Sequence, residues 1–395
     1  MFLIRLGLLV GLVLPLLQAC QGGSSGTTIT DTSLVSSNWT WSLPPNFPTP
    51  VVPDNNFMSE EKFQLGRHLF YDKKLSGNGT FSCASCHQQN KAFTDGRKDG
   101  NDNVLTLSTG STGQTLNRNA PSLINSAYHS TYTWVNPTLL TLEKQMETPL
   151  FTTQVIEMGV DDTNRAIILQ RFKDSPEYVS LFNSAFPSEA EPIHFDNIIK
   201  SISTFQRALL TGNSKFELYQ KNQTTLSASE ERGLNLFNGE KAECFHCHGS
   251  FNFNDQVNFL GRRPEENLFH NTGLYNIGGD GTFPADNQGL IAFTGKSYDM
   301  GRFRAQSLWN VAITGPYMHD GSIATLEEVL DFYASGGRNI TSGAYQGDGR
   351  LNPFKSEFIG LIELNTQERA DIIAFLKTLT DETLLTNERF SDPFN

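Results

Sequence analysis

The chain has 395 residues, enough for two or three domains with cores of their own. A formal net charge of −12 at pH 7 repels phosphate backbones, which argues against nucleic acid as a partner. Its 29 Phe, against 10 Tyr and 4 Trp, suit cores packed on large flat apolar groups, although Phe also fills ordinary cores.

Residues 1–5 make a short basic start and residues 6–17 an apolar run. That run is too short to span a bilayer but suits the apolar region of a secretory signal. It ends in Leu17-Gln18-Ala19-Cys20, the pattern of a bacterial lipoprotein signal. Residues 1–19 therefore read as a signal peptide and Cys20 as a lipidated N-terminus. Ordinary cleavage near Ala19, leaving a free thiol, is the alternative. Gln21 in place of Asp after the cysteine favours an outer-membrane anchor facing the periplasm. Residues 21–37 are rich in Gly, Ser and Thr, so residues 20–50 read as a flexible tether.

Ser59-Glu60-Glu61-Lys62 reads as a helix start, a capping serine with two acids facing the positive helix end, and Gly66-Arg67-His68-Leu69-Phe70 follows it. Ser229-Glu230-Glu231-Arg232 with Gly233-Leu234-Asn235-Leu236-Phe237 repeats the arrangement, which suggests two like units in tandem. Residues 196–210 read as a further helix. Thr325-Leu326-Glu327-Glu328 is a capping box for a helix stopping at Gly336-Gly337, and Asn365-Thr366-Gln367-Glu368 opens another. Residues 99–113 and 271–295 are rich in Gly, Asn, Asp and Thr and read as long loops. The class is mainly α with little strand.

Behind each repeated helix stands a histidine-ended cysteine pair, Cys83-Ala84-Ser85-Cys86-His87 and Cys244-Phe245-His246-Cys247-His248. C-x-x-C-H is a haem-attachment pattern. Two cysteines on one helical turn each form a thioether to a vinyl group, and the next histidine ligates the iron from below. A four-cysteine zinc site or two redox dithiols would leave both histidines unexplained. Four of the five cysteines are thus assigned to two haems c, with His87 and His248 as iron ligands. His246 cannot share the proximal direction with His248 and reads as a surface or propionate contact.

These motifs, with Leu65-Gly66-Arg67-His68-Leu69-Phe70-Tyr71-Asp72, Arg118-Asn119-Ala120-Pro121-Ser122, Glu157-Met158-Gly159 and Thr314-Gly315-Pro316-Tyr317-Met318-His319-Asp320-Gly321, resemble the bacterial di-haem cytochrome c peroxidase and MauG superfamily over residues 57–380. Residues 324–338 look especially like its MbnH branch. The resemblance implies two tandem cytochrome c-like domains, a peroxidatic one over residues 51–220 and an electron-transfer one over residues 221–395. It implies that hydrogen peroxide reacts at the first haem and that the second relays oxidising equivalents. Most members close the first iron's sixth position with a histidine after the first motif. Residues 88–118 contain none, so the first iron is expected to stay five-coordinate or water-bound.

By the same resemblance Glu157 is the acid/base over the first haem and Gln145 its neighbour, although the interval between them is two residues longer than in relatives. A solvated loop carboxylate is the alternative for Glu157. Trp134 matches the tryptophan placed between the haems, but Trp134-Val135-Asn136-Pro137 replaces the usual Trp-Asp-Gly-Arg, and a core tryptophan is the alternative. The second iron's sixth ligand falls on Tyr333, as in MauG-like members, with Met318 and Met300 as competitors. A calcium ion is implied at Asn119, Thr314 and Pro316. The expected activity is MauG-like oxidation of a partner protein. The rivals are a peroxidase fed by a small cytochrome or cupredoxin, and a non-catalytic electron-transfer cytochrome.

Overall fold

The computed structural model describes residues 39–395 except Arg263, Glu265 and Leu361. The signal peptide and Cys20 lie outside the described residues. Eleven helices follow in chain order: α1 (Glu60–Tyr71), α2 (Leu142–Phe151), α3 (Arg165–Lys173), α4 (Pro176–Ala185), α5 (Phe195–Arg207), α6 (Lys215–Gln220), α7 (Ala228–Phe237), α8 (Phe245–His248), α9 (Ile291–Thr294), α10 (Leu326–Ala334) and α11 (Thr366–Lys377). Two antiparallel strands of two residues, β1 (Asn339–Ile340) and β2 (Gly347–Asp348), are the only named strands among the described residues. The protein is mainly α, as the sequence implies.

Two helix pairs organise the structure, α1 with α5 and α7 with α11. Ser59 caps α1, its hydroxyl accepting from the Lys62 amide at 3.2 Å. The cap of α7 is not Ser229 but Ser227, which forms a capping box with Glu230. Ser229 lies inside the helix and donates to Asp371 Oδ1 on α11. Thr325 and Asn365 cap α10 and α11 with complete capping boxes, as expected. At each crossing a glycine meets the partner backbone. A Cβ on Gly66 would lie 1.9 Å from the Ser201 carbonyl oxygen, and one on Gly233 would lie 1.9 Å from that of Asp371. The glycine shared by the two repeats is therefore the contact point of the two helix pairs.

One hydrophobic cluster gathers Phe63, Phe70, Phe93 and Phe205 with neighbours from Met58 to Leu209, and it also takes in Leu384 and Phe390 from the C-terminal segment. A second gathers Phe216, Phe237, Phe253, Trp309 and Phe375, and it takes in Phe47. The chain ends therefore cross the 220/221 division. Residues 39–50, read as the end of the tether, are packed: Trp39 and Trp41 lie against the first cluster, and the Pro48 carbonyl accepts from the Tyr128 hydroxyl at 2.8 Å. Large aromatic side chains among the glycines and serines defeat the tether.

Candidate active site

The two cysteine pairs adopt the same local geometry. Cys83–Ser85 forms a single 3-10 turn and Phe245–His248 a single α turn. In both, the histidine backbone amide donates to the carbonyl of the first cysteine at 3.0 Å. His87 Nδ1 lies 2.7 Å from the Phe93 carbonyl and His248 Nδ1 lies 2.8 Å from the Phe253 carbonyl. A ring held by Nδ1 against a carbonyl presents Nε2 to an iron, the usual orienting device for metal-bound histidine. Burial pushes the Cys83, Cys86 and Cys244 thiols up to about 12, the reverse of what a redox dithiol needs. None of the possible metal clusters among the described residues joins the two pairs. The donor sets fit haem c.

Glu157 is fixed from several sides. Its carbonyl accepts from Ser111 N at 2.7 Å, and the next residue, Met158, donates to the Pro149 carbonyl and accepts from Gly77 N. The carboxyl is partly accessible at the residue level, yet it is walled by protein, and burial raises it to about 7. Its charge acts on both Cys83 and Cys86, which places it beside the first pair. Gln145 stands half-buried on α2, next to the buried Met146, and shares no hydrogen bond with Glu157.

The second pair opens into a cavity lined by Cys244, Cys247, His248 and Tyr333, and also by Asn119, Trp134, Thr314 and Pro316. Tyr333 sits on α10; burial raises its phenol, and the charges of Cys247 and Cys244 raise it further. Met318 reaches the same cavity but Met300 does not line it. Trp134 donates from Nε1 to the Asn119 carbonyl at 2.8 Å, and its ring meets His319 edge-on at 6.4 Å between centroids. The Asn119 amide and the Pro316 carbonyl oxygen are 3.1 Å apart. His246 pairs with Glu243 at 2.5 Å and stacks on Phe358 with ring centroids 4.0 Å apart.

Residues 60–225 match the family model described as di-haem cytochrome c peroxidase. The chain is 30% identical over 367 residues to the methylamine utilization protein MauG of Methylorubrum extorquens, covering 92% of this chain and 90% of that protein. This chain belongs to the di-haem cytochrome c peroxidase and MauG family. It is an oxidoreductase, and membership implies two haem cofactors. It is also 32% identical over 355 residues to the cytochrome-c peroxidase IdrP1 of a Pseudomonas species, with 85% and 86% coverage. A crystal structure described as a MauG-like protein associated with microbial copper homeostasis superimposes with a TM-score of 0.87 at 54% identity, over 90% of this chain and all of that one.

Within this di-haem family member, four side chains on the second cavity have no signal in the sequence. His270 Nε2 lies 2.5 Å from Asp255 Oδ2. Burial works to lower that imidazole, but the Asp255 and Cys247 contacts outweigh it and leave it at about 10. His129 is buried with Nε2 unpartnered. Arg304 and Gln306 also line the wall. Each reaches the cavity through tertiary contacts between distant segments, so no spacing rule points to them.

Proposed function

We propose that this protein reacts with hydrogen peroxide beside Cys83–His87 and uses the oxidising equivalents, through the second site, to oxidise a residue on a partner protein, as a MauG-like enzyme. The observation that carries this reading is Tyr333, whose buried phenol stands near Cys244 and Cys247 where a peroxidase of the family would present methionine. The 54% identity with the MauG-like protein supports it. Bound haem supplies the redox chemistry: an iron open to peroxide at the first site and a store of oxidising equivalents at the second.

The chain's own residues supply the rest. Glu157, raised to about 7 by burial, takes the proton of incoming peroxide and returns it to the departing oxygen. Gln145 on α2 is the proposed neighbour that orients it. Trp134, anchored through Nε1 to Asn119, is the relay between the sites. Tyr333, on the wall of the same cavity, would hold the second haem iron through its phenol oxygen. Asn119, Thr314 and Pro316 would hold calcium through neutral oxygens, with the Asn119 amide, which donates from Nδ2 to the Pro316 carbonyl at 3.1 Å, turned to present its oxygen instead. Export to the periplasm with a lipid anchor at Cys20 completes the proposal. Among the described residues no helix is long and apolar enough to cross a membrane.

The test is one equivalent of peroxide added to the diferric protein, followed by Mössbauer spectroscopy. A change at both iron signals without added donor is expected. A change at one iron, with rapid turnover only when a reduced small cytochrome or cupredoxin is added, would overturn the MauG-like reading in favour of the peroxidase one.

A further inference from the structure

Arg304 is a buried cation without an anion. The residue is 3% exposed, and both its side-chain hydrogen bonds go to neutral oxygens. Nε donates to the Thr133 carbonyl at 2.9 Å and Nη2 to Gln306 Oε1 at 2.7 Å. Its other terminal nitrogen, Nη1, is buried and unpartnered, and so is Gln306 Nε2. The bond from Nη2 fixes the Gln306 amide with its oxygen towards the guanidinium, which leaves Nε2 to face elsewhere. Both residues line the cavity that contains Cys244, Cys247 and His248. The acid whose charge reaches Arg304, Asp255, pairs with His270 through Oδ2 at 2.5 Å, and its Oδ1 makes no hydrogen bond to Arg304.

A desolvated guanidinium is tolerated where a carboxylate completes it, and its planar fork suits that geometry. We propose that Arg304 Nη1 and Gln306 Nε2 form the binding site for a propionate carboxylate of the second haem. Arg304 is also tied to the tryptophan segment: its backbone amide donates to the Trp134 carbonyl at 2.9 Å, and its Nε holds the carbonyl of Thr133. These bonds fix the backbone from which the Trp134 side chain springs, which makes Arg304 a positioning residue for the relay segment as well as a cofactor ligand. The inference rests on haem attachment at Cys244 and Cys247.

The experiment compares the protein carrying both haems with Arg304→Gln, Arg304→Lys and Gln306→Leu. Haem per chain is counted first, then the propionate-bending bands are recorded by resonance Raman and the two midpoint potentials by spectroelectrochemical titration. Arg304→Gln is expected to shift the second haem's propionate band and lower its midpoint, because a cation that disfavours the ferric state has gone, with the first haem unmoved. Arg304→Lys is expected to keep most of the potential while shifting the band, and Gln306→Leu to shift the band alone. Unchanged bands and potentials in Arg304→Gln at two haems per chain would overturn the proposal. Should that variant fail to mature, an unmoved band in both other variants overturns it equally. Fewer than two haems in the unsubstituted protein would instead remove the attachment on which the inference stands.

Discussion

Glu157 carries its acidity shift because the backbone around it is held in place. Hydrogen bonds to Ser111, Pro149 and Gly77 keep the segment under protein rather than in solvent, and burial raises the carboxyl to about 7. Hydrogen peroxide stays protonated well above neutral pH, so only the carboxylate can take its proton. The rate of peroxide reaction should therefore rise with pH through about 7 and level off above it, and Glu157→Gln should lower it by roughly 10²–10⁴-fold with both haems retained. Stopped-flow traces that are pH-independent, or unchanged in the variant, would remove Glu157 from the chemistry. Tyr333 yields a separate prediction. Tyr333→Phe should convert the second iron from low to high spin by electron paramagnetic resonance, whereas Tyr333→Met should keep it low-spin and gain a thioether–iron charge-transfer band. An unchanged low-spin signal in the phenylalanine variant would hand the ligand position to Met318. Glu157 is legible through its Glu157-Met158-Gly159 motif and Tyr333 through its place in the family pattern. Arg304 and His270 are not legible, because no local pattern encodes an orphaned buried donor or a buried imidazole–carboxylate pair.

At the scale of elements, the repeat was legible as two serine-headed helices sharing a glycine, and its physical meaning is the close crossing of α1 on α5 and of α7 on α11. An alanine methyl at Gly66 would meet the Ser201 carbonyl, which belongs to a helix backbone and cannot swing aside. Gly66→Ala should therefore destabilise the protein by about 1–3 kcal/mol through overpacking. Gly212→Ala, where nothing lies within 4 Å, should stay within about 0.5 kcal/mol. Urea unfolding followed at the haem bands checks both, and equal midpoints for the two variants would refute the crossing argument. The cap of α7 shows why sequence placed it two residues late. Ser227 and Glu230 satisfy the capping box locally, while Ser229 spends its hydroxyl on Asp371, which also accepts from Arg232 Nε at 2.7 Å. Aligning the second helix on the first hid a contact that exists only once α11 has docked.

The whole molecule is not two beads on a string, because each core borrows from the far end of the chain. Phe47 enters the cluster around Trp309, and the last dozen residues return to the first cluster. Reading residues 20–50 as tether missed the first of these, since composition registers glycine and serine content but not which rare aromatic finds a pocket. The C-terminal return is built from several contacts. Phe390 is 8% exposed, with its ring 6.1 Å from Phe63 and 6.5 Å from Phe205. Its carbonyl accepts from the Tyr71 hydroxyl at 2.7 Å. Arg389 lies over Phe63 and pairs with Glu60 at 2.6 Å. Gln89, two positions after His87, donates to the Leu384 and Asn387 carbonyls at 2.9 Å. The tail is thus joined to the loop that follows the first haem motif. Phe390→Ala should cost about 3 kcal/mol, the low end for a large aromatic truncated in a core, and Phe390→Leu less than about 1.5 kcal/mol. Because Gln89 shares the tail, the alanine variant should also perturb the electron paramagnetic resonance of the first haem and leave that of the second unmoved. A full-stability Phe390→Ala protein, or one in which only the second haem responds, would show that the tail does not support the peroxide-facing half.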